Sequence, residues 1–166
     1  PARRDGAGKK VVALADCEPD VAALRQQLLQ KARRVMVKCS PMLDITAACR
    51  QLCCVSEVHT VAVNNECKEL LFVLSAAALD TPRVHCVNIV NDTLQTFSFS
   101  MNDACEAGYA AEVGAYLYEP NAAIQKAGCP SSLATSYGMQ KLHRNSNLYT
   151  SDALTAHFPG RIFKVT

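Results

Sequence analysis

Apolar and polar positions alternate along this chain with two different periods, and the switches between them mark out its elements. Val21, Leu24, Leu28 and Leu29 recur at helical spacing and form one apolar face. Asp16 reads as the cap of that helix, with Glu18, Pro19 and Asp20 in its first turn. Lys31, Arg33 and Arg34 suit its carboxy end. Residues 35–39 form a short apolar strand ended by Ser40-Pro41, and a second helix is expected from about Ile45 to Leu52, capped by Asp44. Helix, apolar strand, loop and helix in that order predict a parallel strand.

From residue 57 the period becomes two. Residues 57–63 and 70–74 read as strands around the turn signal Asn64-Asn65-Glu66-Cys67. Residues 84–90 and 94–99 repeat the pattern around Asn91-Asp92. The expectation is four antiparallel strands in two hairpins, covered on one face. Further on, residues 116–118 read as an aromatic strand. A helix starts near Glu119-Pro120-Asn121, runs through Ala122, Ile124 and Lys126, and stops at Gly128. Residues 131–141 hold another short helix, and residues 145–149 and 161–165 look extended. The fold class that results is α+β, with mixed α/β character at the amino end.

Composition narrows the class. Of 166 residues, 49% are hydrophobic and 19% charged, which is globular rather than disordered. No apolar run approaches the roughly 20 residues that cross a bilayer, so no membrane partner is expected. Nine cysteines scatter along the chain with no Cys-x-x-Cys spacing. They read as reduced thiols of a cytoplasmic protein, and no metal site is expected. His59 and His85 fall on strand-like stretches and read as ordinary half-buried residues.

Charge is uneven. Residues 1–50 carry ten Lys/Arg against five Asp/Glu, whereas residues 51–100 carry two against five. Residues 137–166 hold Lys141, Arg144, Arg161 and Lys164 against Asp152 alone. Either a polyanion partner or a solvated face accounts for this. Gly6-x-Gly8 follows no strand, so it is not a dinucleotide fingerprint. Neither Gly-x-Ser-x-Gly, His-Glu-x-x-His nor a P-loop occurs, and single carboxylates such as Asp44, Glu57, Glu66 and Glu69 read as surface or capping groups.

Several stretches carry a resemblance: VMVKCSPMLDI, SEVHTVAVNNECKELLFVLS, YLYEPNAAIQKAG, KLHRNSNLYTSD and FPGRIFKV. Together they resemble the carboxy-terminal part of bacterial class I S-adenosylmethionine-dependent methyltransferases of the Bacteroides/Porphyromonas type. Members of that family carry a ferredoxin-like segment and a THUMP-like carboxy-terminal domain. The resemblance divides the chain into a methyltransferase remnant (1–52), a ferredoxin-like segment (53–100) and a THUMP-like domain (101–166). The strands within residues 57–99 would be either the closing strands of the methyltransferase sheet or a separate small module.

The same resemblance implies the sites. Pro1-Ala2-Arg3-Arg4 matches a stretch that stands where other methyltransferases hold a catalytic motif, which makes Pro1, Arg3 and Arg4 truncated catalytic candidates. Lys38, Ser40 and Pro41 would line the substrate side of the sheet, where such folds place ligands. Read from the chain alone, Ser40-Pro41 is equally a strand terminator. RNA is the implied substrate, met by Lys141, His143, Arg144, Asn145, Asn147, Tyr149, Arg161 and Lys164. S-adenosylmethionine is the cofactor implied for the parent enzyme. None is expected for this chain alone, because the Gly-rich loop would belong to an amino-terminal half outside it. The rival reading is a non-catalytic interaction or dimerisation module, with Tyr116, Tyr118, Phe158 and Phe163 as its apolar patch.

Overall fold

A computed structural model describes residue 14 and residues 17–77, 81–103 and 107–166. The elements run α1 (Val21–Lys31), β1 (Arg34–Cys39), α2 (Ile45–Leu52), β2 (Val55–Val63), β3 (Glu66–Ser75), β4 (Arg83–Val90) and β5 (Thr93–Ser100). After them come β6 (Tyr116–Pro120), α3 (Ala122–Ala127), α4 (Pro130–Tyr137), β7 (Gln140–Lys141), β8 (Tyr149–Ser151) and β9 (Gly160–Lys164). A five-stranded sheet has the order β1-β3-β2-β4-β5, and a four-stranded sheet has the order β7-β8-β6-β9. The architecture is mixed α+β.

Local chemistry accounts for most boundaries. The Asp44 carboxylate accepts from the Ala47 amide at 2.7 Å and starts α2. That helix then buries Ile45, Ala48 and Leu52, spaced as one helical face. Burying its two large aliphatic side chains contributes on the order of 3–6 kcal/mol. On α1 the cap is Asp20, whose carboxylate accepts from Ala23 at 3.0 Å, so the cap lies four residues after the expected one. Asp16 itself lies outside the described residues. Asn64-Asn65 and Asn91-Asp92 all take positive φ, from 46° to 62°. Two consecutive left-handed residues make the tight hairpin turn that Asn and Asp tolerate best.

Two topological expectations change. The first apolar strand, β1, is antiparallel to its neighbour β3. It does run in the same direction as β2, to which α2 connects it, but β3 inserts between them because its two-residue turn pins it to β2. The second hairpin is likewise not antiparallel to the first: β4 pairs in parallel with β2, Glu57 facing Arg83 through Val63 facing Ile89. With β1 on the outer edge of β3, only the free edge of β2 remained. The chain enters it from the end where β3 stops.

Alternation leaves the large sheet with two unlike faces. Val37, Cys39, Val58, Thr60, Ala62, Leu70, Phe72, Leu74, Val84, Cys86, Phe97 and Phe99 are buried on one side. The other side carries Arg34, Met36 and Lys38, all exposed, with half-buried Glu57, His59, Val61, His85 and Val87. Helix α3 packs on β2, β3 and β4 and ties the small sheet to the buried face. An aromatic chain completes the junction, running Phe99–Phe97–Tyr137–Phe158–Tyr118 with centroids 5.1–6.1 Å apart.

Candidate functional site

Several groups of residues compete for the role of functional site. The first is the end of β1. Lys38 points to the exposed face and pairs with Glu69 at 3.0 Å. Ser40 accepts from the Met42 amide through its hydroxyl at 3.1 Å and from the Leu43 amide through its carbonyl. Ser40-Pro41 is therefore a turn that leads into α2, with both Lys38 and Ser40 already engaged. Pro1, Arg3 and Arg4 lie outside the described residues.

The carboxy-terminal basic residues do not form one surface. Lys141 is 4% exposed, and its ammonium donates to the carbonyl of Arg144. Tyr149 is 1% exposed and faces Lys141 across the β7–β8 pair. The expectation that Lys141 meets phosphates and Tyr149 stacks on a base is corrected: both are core residues of the small sheet. Burial, together with nearby Cys129, pushes the Tyr149 phenol above its ordinary range. His143, Arg144, Asn145 and Asn147 remain exposed on the β7–β8 loop. His143 Nδ1 accepts from the Asn145 amide there at 3.2 Å. Arg161 and Lys164 sit on β9, at the opposite edge of the sheet. Three strand spacings separate the two edges, roughly 14 Å.

The interaction-patch alternative also loses two members. Tyr118 and Phe158 are 0% and 4% exposed, and the Tyr118 hydroxyl donates to the Ala153 carbonyl while accepting from the Thr155 amide. Phe163 stays exposed under the Arg161 guanidinium, 6.0 Å from its ring centre. Aromatic strand residues without helical or tail context gave no sign of which sheet face they would take.

Arg161 does reach a concave site. A cavity of about 310 Å³ at the junction of the sheets is lined by Asn64, Asn65, Asn88, Gln95, Asn121 and Arg161, among others. Its amides form a network. Asn88 accepts from the Asn65 amide at 3.0 Å and donates to Gln95 at 2.9 Å. Asn121 donates to the same Gln95 oxygen at 3.3 Å and caps α3 by accepting from Ile124. Asn65 Oδ1 accepts from Ala122 at 2.8 Å. Arg161 also pairs with Glu119 on β6. In the sequence Asn64 and Asn65 read as a turn, Asn88 as a strand residue and Asn121 as the start of a helix, and nothing local brings these three places together.

A further cluster is not apparent from the sequence. His59 and His85 are cross-strand neighbours in the parallel β2–β4 pair. Their rings stack with centroids 4.8 Å apart. Glu57 lies two residues before His59 on the same face, its carboxylate 3.2 Å from His59 Nε2. Burial, then the neighbouring His59, pushes the His85 imidazole below its ordinary value.

A sequence profile of a ferredoxin-like domain matches residues 116–159. That stretch holds β6, α3, α4, β7 and β8, whereas the resemblance attached the ferredoxin-like name to residues 53–100. The whole chain is also similar to the crystal structure of a protein from Porphyromonas gingivalis W83 described as a candidate methyltransferase. The TM-score is 0.89 at 36% identity, and the match covers 100% of this chain and 41% of that one. This chain thus spans less than half the length of that protein. No curated protein matches it. The class defined by fold and comparison is an α+β chain with a ferredoxin-like domain, structurally close to part of a candidate methyltransferase. Among the described residues no helix is long and apolar enough to cross a membrane.

Proposed function

We propose that this chain serves as the carboxy-terminal part of an S-adenosylmethionine-dependent methyltransferase of class I type. The observation that carries the reading is similarity over the full 166 residues to the Porphyromonas protein. The strand order supports it. Co-directional β1 and β2, joined by α2 and separated by antiparallel β3, suit the closing edge of a methyltransferase sheet. The residues at the end of β1 do not by themselves fit the cofactor. Lys38 and Ser40 are already engaged, and among the described residues no Gly-rich loop follows a strand to cradle it. In this reading the cofactor is held by an amino-terminal half, and this part closes the sheet and presents substrate from a THUMP-like carboxy-terminal unit.

RNA is the substrate class we favour. The amide-rich cavity offers both donors and acceptors, and Arg161 adds a guanidinium at its rim; unpaired bases are recognised by such edges. Arg144 on the β7–β8 loop and Lys164 on β9 are exposed and add positive charge to the small sheet. Two measurements test this. Calorimetric titration with S-adenosylmethionine should be silent for the 166-residue chain and positive for the protein translated from its whole reading frame. That longer protein should transfer labelled methyl groups to structured RNA, and Arg161→Ala should weaken RNA binding. Micromolar binding of the cofactor by this chain alone would overturn the division of labour. Methyl transfer to protein but not to RNA would overturn the substrate class.

A further inference from the structure

We infer that Glu57, His59 and His85 form a binding site for a divalent transition-metal ion of the zinc type, on the face of the large sheet opposite its buried core. The inference is independent of methyl transfer. One potential ligand atom from each residue lies within 4.8 Å of the other two. The backbone enforces this proximity. Parallel pairing sets His59 level with His85, and the strand period of two puts Glu57 on the same face.

The donor set selects the kind of ion. Two imidazoles and one carboxylate suit zinc, copper, nickel or cobalt, whereas magnesium and calcium favour oxygen alone. An ion bound at about 2.0–2.1 Å holds tetrahedral ligand atoms roughly 3.3 Å apart. Side-chain rotations that bring the ligand atoms about 1.5 Å closer therefore close the site, with no movement of the strands.

Neighbouring groups are arranged as supports for such ligands. Ser98 Oγ lies 2.9 Å from His85 Nδ1, across the β4–β5 pair. When that nitrogen donates to the hydroxyl, the tautomer leaves Nε2 with its lone pair free. Arg34 donates to Glu57 Oε1 at 3.0 Å, which turns the other oxygen toward His59. Arg34 and Arg83, the latter level with Glu57 on β4, add positive charge near the site. They limit its affinity and exclude ions that depend on charge rather than on nitrogen donors. All three ligands are half-buried, so water can fill the remaining coordination positions. The bound ion would clip β2 to β4 at the one parallel pairing among the described strands.

The test uses the reduced 166-residue chain with Zn²⁺ and Co²⁺, and with Mg²⁺ as the control. One equivalent of Zn²⁺ should bind, Mg²⁺ should not compete, and Co²⁺ should give weak visible bands without a thiolate charge-transfer band. His59→Gln and His85→Gln should each weaken binding at least tenfold, and Ser98→Ala should weaken it about tenfold through the orientation of His85. Circular dichroism checks that the variants fold. Should they not fold, ring-nitrogen spectra of the native protein decide, since the His59 and His85 signals must shift on Zn²⁺ addition. Absence of binding would overturn the site. So would an intense thiolate band, unchanged affinity in a folded His59→Gln, His85→Gln double variant, or unshifted ring signals.

Discussion

The Lys141 ammonium donates to the carbonyl oxygen of Arg144 at 3.3 Å from a position that is almost fully buried. Its backbone is equally committed, donating to Gly108 and accepting from Ala110. Two basic residues three apart in sequence thus have opposite roles, one holding the loop and one facing solvent.

Lys141→Ala should therefore destabilise the protein by about 1–3 kcal/mol, because it removes a packed aliphatic stem and the donor to the part-buried Arg144 carbonyl. Arg144→Ala should stay within about 0.5 kcal/mol. Urea unfolding of both variants checks the contrast. Equal, near-neutral effects would mean that Lys141 is in fact mobile and solvated.

Much of the local structure was readable from the chain. Asp44, the turns Asn64-Asn65 and Asn91-Asp92, and the stop at Gly128 behave as their chemistry dictates, since each acts within four residues of itself. Pairing was not readable. Whether β3 lies beside or between β1 and β2 depends on edges competing across the fold, and period-two alternation is the same for parallel and antiparallel strands. The sites suffered most. Charge, an expected loop and the family resemblance together marked Lys141 as a surface residue, whereas the folded small sheet buries it beside Tyr149. Glu57, His59 and His85 each had an ordinary strand context, and nothing short of the β2–β4 register puts them side by side.

The glycines separate into two kinds with different costs. A Cβ on Gly160 would stand 2.1 Å from the Glu119 carbonyl oxygen and 2.8 Å from Phe158 Cε1 and Pro120 Cα. These are backbone and core atoms of the β6–β9 pairing, so they cannot rotate away. Gly160→Ala should cost about 1–3 kcal/mol or more by forcing the two strands apart. Gly128→Ala meets nothing within 4 Å, and its penalty comes only from φ of 69°, about 1–2 kcal/mol. Thermal unfolding ranks them. Amide exchange should further show faster opening of β9 in Gly160→Ala but not in Gly128→Ala.

Asn121 joins the two sheets and starts α3 with one side chain. Its carboxamide oxygen accepts from Ile124 at 3.1 Å, and its nitrogen donates to Gln95. Asn121→Ala removes both and should cost about 1–2 kcal/mol, the range for lost helix caps. Asn121→Asp keeps the cap but points a carboxylate oxygen at the Gln95 oxygen inside a buried network. If Asp restores full stability, the cap is the whole of the role. The amide network predicts that it will not.

Buried Cys39 and half-buried Cys49 make the fold sensitive to alkali. Cys39 and Cys49 are each pushed up from 9.0 to about 11, mainly by burial, with nearby Asp44 adding to the effect at Cys49. Burial also raises Cys67, Tyr137 and Tyr149. A group whose folded value is raised holds its proton longer in the folded state than in the unfolded one. Between about 9 and 11 the unfolded chain therefore binds fewer protons, and stability must fall as pH rises through that window. Below 9 these groups contribute no slope. The urea midpoint, measured in reductant, should be level up to about pH 8.5 and decline above 9. A Cys39→Ala, Cys49→Ala double variant should start lower but decline less steeply. Alkylation gives an independent reading. Near pH 8 only about one buried thiol in a thousand is ionised at a value of 11, so exposed Cys53 and Cys54 should be labelled well before Cys39 and Cys49. A slope unchanged by the double substitution would show that these two thiols ionise as readily in the folded protein as in the unfolded chain.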